Sequence, residues 1–169
     1  GVQFMDVAFD DLNSLPAINA KGGIAAAEAY AHHKEMLASS GDQYDQRVRT
    51  RIESGAVITA SELIEVQHQR AELIVKADQL SAGLDGSLVP TTPNIPPLIA
   101  DFDTFEAYGK LNFMCLRNTF AGNFLNRCAI SIPMSAKGEA PAGAMIMAPW
   151  GQDVALFGVA NTVEMSLTL

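Results

Sequence analysis

The stretch Leu116–Pro133, LRNTFAGNFLNRCAISIP, gathers Arg117, Asn118, Asn123, Asn126 and Arg127 just ahead of an apolar run, CAISIP, that reads as a buried strand. Guanidiniums offer a bidentate fork to a carboxylate or phosphate. Side-chain amides beside them either line a polar site or tie an irregular loop together. The other chemistry-bearing residues fall short of a complete device. Glu65 and His68 form an ExxH on a helix, half of a di-iron motif, but no second ExxH follows. His32 and His33 are adjacent, so they point to different helix faces and cannot chelate as an i, i+4 pair would. The KGG before Ile24 would present backbone N–H groups to an anion, yet it lacks the GxxxxGK[ST] spacing and serves equally as a turn. Ser87, Ser131 and Ser135 have no activating base in sight, and neither GxSxG nor SxxK occurs. The residues therefore point to no metal, no cofactor and no catalytic group within this chain.

The elements that must position these groups follow from periodicity. Alternating Val2, Phe4, Val7 and Phe9 predict a strand over 2–9. This apolar opening, GVQFMDVAFDDL, reads as a cut through a larger protein. Helices are expected over 24–38, over 44–53, and from the capping box Thr59–Glu62 to Gly83. The last of these carries the stripe Leu63, Val66, Leu73, Ala77 and Leu80, with Arg70 interrupting the same face and so assigned a structural, paired role. Residues 84–90 form a short strand ending in a proline-rich loop, and 104–115 a helix. Residues 116–127 are expected as a loop and short helix leading into the strand CAISIP. A second strand, 142–149, follows a short turn, so the two pair as a hairpin or neighbours. A closing helix over 151–167 would face the core with Val154, Phe157, Ala160 and Val163. The order gives an α/β fold with helices packed on a mixed β-sheet. It forms a single segment with a strand-plus-helical part (1–83) and a sheet-forming part with the closing helix (84–169).

Bulk composition narrows the partners. The chain has 169 residues, 49% hydrophobic and only 18% charged, with a formal net charge of −8. That length supports a real core, and the low charge suits a piece that buries some surface against another. The acidic balance (pI ≈ 4.7) argues against direct nucleic-acid binding, which needs clustered cations. It also argues against anionic membrane surfaces. No apolar run approaches the about 18 residues of a membrane span. Cys115 and Cys128 are too few for a disulfide framework, and a cytoplasmic, reducing compartment is expected.

Taken in order, LDGSLVPTTPNIPP, the pair Thr119 and Asn123, AISIP, PAGAMIMAP and the closing helix resemble the amidase signature family. The upstream segments GGIAAAEAYAHHKEML, YDQRVRTRIESG and QRAELI resemble that family's helices, so the likeness covers nearly the whole chain. The resemblance implies an amide-bond hydrolase whose Ser–cis-Ser–Lys triad and oxyanion loop belong to an N-terminal half. This chain would be the C-terminal segment of the fold, inactive alone. Two departures stand out. Asn126, Arg127 and Cys128 replace the family's Gly-Leu-Pro turn, and APAGAM replaces its Leu-Pro-Val-Gly.

On that resemblance Arg51, in RIESG, stands where family members hold a substrate carboxylate. Arg117, Asn126 and Arg127 are expected to tune the substrate pocket. Thr119 and Asn123 are expected to tie the loop backbone. The partners implied are a small amide substrate and the missing N-terminal half, and an exposed sheet edge leaves room for a homodimer. Two alternatives remain: a protein like the amidase-type subunit of glutamyl-tRNA(Gln) amidotransferase, and a non-catalytic α/β interaction domain. The aspartate expected of the former before Thr119 is not evident.

Overall fold

In a computed structural model of the protein, residues 1–167 are described. Contacts divide the chain into two units, residues 10–73 and residues 1–9 with 74–169.

In the unit 10–73, a one-turn helix α1 (Leu15–Ile18) precedes α2 (Gly23–Ser40), α3 (Gln46–Glu53) and the first part of α4 (Ala60–Leu80). Helix α3 starts at Gln46 because Asp45 caps it, accepting the Arg47 N–H at 2.8 Å. The Arg47 guanidinium holds that carboxyl well below the usual range. Helix α4 opens with the expected reciprocal box. The Glu62 N–H donates to Thr59 Oγ1 at 3.3 Å, and the Thr59 N–H donates to Glu62 Oε2 at 2.9 Å. The Lys21 ammonium also bonds Glu62; with Thr59 it pushes the Glu62 carboxyl down to about 2. The turn Ser54–Val57 packs on α2. A Cβ at Gly55 would lie 2.0 Å from the Ala26 carbonyl oxygen, so only glycine permits that approach. Along α4, Leu73 and Ala77 are buried and Leu63, Val66 and Arg70 are half-buried, while Leu80 is exposed. The helix gives way to a turn at Gly83, whose φ is +80°.

The other unit holds β1 (Ser87–Pro90), α5 (Phe105–Phe124), β2 (Arg127–Pro133), β3 (Gly143–Pro149) and α6 (Asp153–Ser166). The strands form one sheet in the order β1-β3-β2, with both pairings antiparallel. Of the mixed sheet expected, the three strands described here supply an antiparallel part. Strands β2 and β3 make the expected hairpin, with Ile130 opposite Ile146 and Ser131 opposite Met145. Ile132, Ala144, Ile146 and Ala148 form the core with Leu156, Ala160 and Val163 of α6, and Val2 and Cys128 pack at its margin. Among the described residues no helix is long and apolar enough to cross a membrane.

Three expectations need correcting. Residues 2–9 form no strand; Phe4, Met5 and Val7 are exposed. Alternation supplies a face, but a strand exists only where a neighbour completes its ladder, and no pairing to this segment forms among the described residues. Residues 116–124 are not a loop: α5 continues through them to Phe124. Asn, Thr, Phe and Gly are modest helix formers, and burial of Gly122 and Phe124 overrides that preference. On α6 the inward residues are Leu156, Ala160 and Val163, whereas Val154 is 86% and Phe157 66% exposed. Steps of three residues drift about 60° around a helix each time, so Val154 ends about 180° from Val163.

The core and the close approach are testable. Ile146→Ala, at a position 2% exposed, should lower unfolding free energy by about 2–5 kcal/mol in denaturant melts. Gly55→Ala should cost about 1–3 kcal/mol through overpacking. The Glu62 carboxyl is depressed in the folded state from 4.5 to about 2. Its stabilisation is therefore present above its unfolded value and is lost as pH falls from 4.5 towards 2. Glu62→Gln should flatten the acid side of the stability profile across that window.

Candidate functional site

Strand alternation sorts β2 into two faces. Cys128, Ile130 and Ile132 belong to the α6 side, as members of the core or its margin. Arg127, Ala129 and Ser131 line a cavity of about 240 Å³. Met145 of β3 joins them, and Thr119, Gly122 and Asn123 contribute from α5 at the i, i+3, i+4 spacing that places residues on one helix face. Thr91, just past β1, closes the wall: its N–H donates to the Gly143 carbonyl at 2.8 Å. Helix α5 is tied to the end of β1 by Asn118, whose side-chain amide donates to the Pro90 carbonyl at 2.8 Å.

Arg127 dominates the electrostatics. Its side chain is only 6% exposed, and Nη1 pairs with Asp78 Oδ1 at 2.9 Å, while Asp78 remains 52% exposed. Nη2 is buried with no partner among the described residues. The Thr91 and Ser131 hydroxyls lie 2.6 Å apart, and either can donate to the other. No lysine and no carboxylate line the cavity among the described residues.

The remaining expected residues are dispersed. Asn126 is exposed, with φ +55°, immediately after the end of α5. Its N–H bonds the Asn123 carbonyl at 3.2 Å, the local arrangement of a left-handed helix stop, which asparagine tolerates. Thr119 donates back to the Leu116 carbonyl at 3.0 Å, and Thr119 and Asn123 both reach the cavity wall. Arg117 is exposed and, among the described residues, reaches only Asn118 Oδ1, at 3.4 Å. Arg51 is exposed on α3, and its guanidinium makes no hydrogen bond or ion pair among the described residues. Arg70 is half-buried on α4. Sequence reasoning missed Asp78 and the Thr91–Ser131 pair. The alternation of Arg127, Ala129 and Ser131 was the available signal; the 49-residue separation of Asp78 from Arg127 left none.

No family model matches the chain. The 2-amino-5-chloromuconic acid deaminase of Comamonas testosteroni is 28% identical over 145 residues, covering 85% of this chain and 31% of the relative. A glutamyl-tRNA(Gln) amidotransferase subunit from Thermus thermophilus is 27% identical over 135 residues, covering 76% of this chain and 28% of that protein. A crystal structure of an amidase superposes with a TM-score of 0.79 at 17% identity, over 95% of this chain and 37% of the amidase. The chain thus spans under a third of the length of both curated relatives.

Two substitutions probe this geometry. Asp78→Ala strands a buried guanidinium and should lower stability by about 1–3 kcal/mol in denaturant melts. At residue 126, glycine should be tolerated within a few tenths of a kcal/mol, whereas Asn126→Val should cost about 1–2 kcal/mol from the positive φ.

Proposed function

We propose that this chain, which has the sequence and fold of the C-terminal portion of amidase-signature proteins, forms the non-catalytic, substrate-facing wall of an amide hydrolase. One observation carries the reading. The fold accounts for 95% of this chain but only 37% of the amidase it superposes on, and its cavity offers hydrogen-bond donors without, among the described residues, a lysine to activate a serine. The acyl-transfer triad implied by the resemblance is then supplied from outside these 169 residues, and the chain alone is inactive.

Surface character supports the same reading. Trp150, Val154, Phe157 and Met165 are each at least 66% exposed, along and just before α6. A soluble domain seldom leaves such a row uncovered, and the proposed occupant is the remainder of the amidase fold. Of the four residues expected to meet substrate, Arg127 is the one in the cavity wall. Arg51 and Arg117 remain proposed as exposed guanidiniums for an incoming carboxylate, and Asn126 acts through the turn that aims Arg127. The location proposed is the cytoplasm, in keeping with two free thiols, Cys115 and Cys128. A second reading, an amidotransferase component working on tRNA-bound substrates, draws on the Thermus relative; it requires that ammonia release depend on mischarged tRNA.

The test is turnover. The chain joined to its N-terminal portion should release ammonia from a small primary amide without tRNA, and the isolated 169 residues should release none. Hydrolysis by the isolated chain overturns the proposal, and strict dependence on tRNA selects the second reading.

A further inference from the structure

Arg127 is anchored by half of its fork. Nη1 is held by Asp78, while Nη2 is buried, unpartnered among the described residues and part of a side chain in the cavity wall. Buried guanidinium N–H groups are seldom left unsatisfied, because desolvating them without a partner is unfavourable. A purely structural ion pair explains Nη1 and leaves Nη2 without a partner among the described residues.

The rest of the wall completes a donor set. In the Thr91–Ser131 pair one hydroxyl hydrogen serves the pair, so the other is available to a ligand. Asn123 adds an amide, and no carboxylate lines the cavity among the described residues. Arg127 is its sole charged side chain there. A single guanidinium, partly offset by a half-exposed carboxylate, suits a monoanion better than a doubly charged phosphate. A planar carboxylate also fits the in-plane geometry of guanidinium donors.

We propose that Arg127 Nη2 and the Thr91–Ser131 hydroxyl pair form a carboxylate subsite. Resting on the hydrolase reading, the substrate is then a small amide that also carries a carboxylate. Arg127 is a binding residue in this arrangement and Asp78 a positioning residue that holds its guanidinium in the wall.

Two measurements on the full protein separate the subsite from the activity. The first is titration with succinate, followed by the backbone amide shifts of Arg127–Ser131. Saturable shifts are expected, weakened about 10-fold in Arg127→Lys and lost in Arg127→Met, with inorganic phosphate binding no tighter than succinate. Thr91→Val, which leaves Arg127 in place, should weaken succinate several-fold; circular dichroism confirms that each variant is folded. The second is kcat/KM for succinamate against butyramide. Wild type should prefer succinamate by about 100-fold, mostly through KM, and Arg127→Met should erase that preference. Undiminished succinate binding by Arg127→Met, tighter binding of phosphate, or a preference that survives the substitution overturns the subsite. Arg127-dependent succinate binding without turnover of either amide supports the subsite and overturns the hydrolase reading. Turnover without Arg127-dependent binding does the reverse.

Discussion

Strand β3 lies between β1 and β2 and is hydrogen-bonded on both edges, and four of its seven residues are buried. Its register decides everything around it. Because side chains alternate, Ala144, Ile146 and Ala148 meet α6, while Met145 turns to the opposite face. Pairing Ile130 with Ile146 and Ser131 with Met145 imposes the same division on β2. A slip of one residue would carry the apolar set to the cavity side and Arg127 to the core side. The burial of Ile146 against α6 is what forbids it.

Once the register is fixed, the polar residues before β2 sort themselves. Helix α5 runs on to Phe124, Leu125 closes it, and Asn126 reverses the chain in the left-handed region so that Arg127 can begin the strand. A guanidinium at the first residue of a half-buried strand would be costly if unpaired. Asp78, at the end of α4, meets one of its nitrogens. The second nitrogen is left without a partner among the described residues, in a side chain that lines the cavity, and the proposed chemistry grows from that imbalance.

Local signals in the sequence translated directly into structure. The Thr59–Glu62 box and the turn at Gly83 depend on neighbours a few residues away, the two hairpin strands on each other across one connection, and each formed. What failed depended on distant partners. Residues 2–9 had the alternation of a strand but, among the described residues, no strand to pair with. The inward face of α6 was set by where the sheet lay, and a spacing of three residues could not reveal it. The end of α5 looked like a loop because its residues are poor helix formers; packing against the sheet made it a helix. The cavity was half visible, as Arg127 and Ser131 four residues apart on one face of a strand. Its other wall required knowing that α5 crosses that face of the sheet.

The most direct measurement is a crystal structure of the full protein with succinamate bound. The expected result places a carboxylate oxygen within about 3 Å of Arg127 Nη2, with the Thr91 or Ser131 hydroxyl bonded to the same group. The contrary result would be Nη2 satisfied by a protein carbonyl or carboxylate from elsewhere, with the ligand outside this cavity; Arg127 would then be a structural residue, and the wall described here would not recognise substrate.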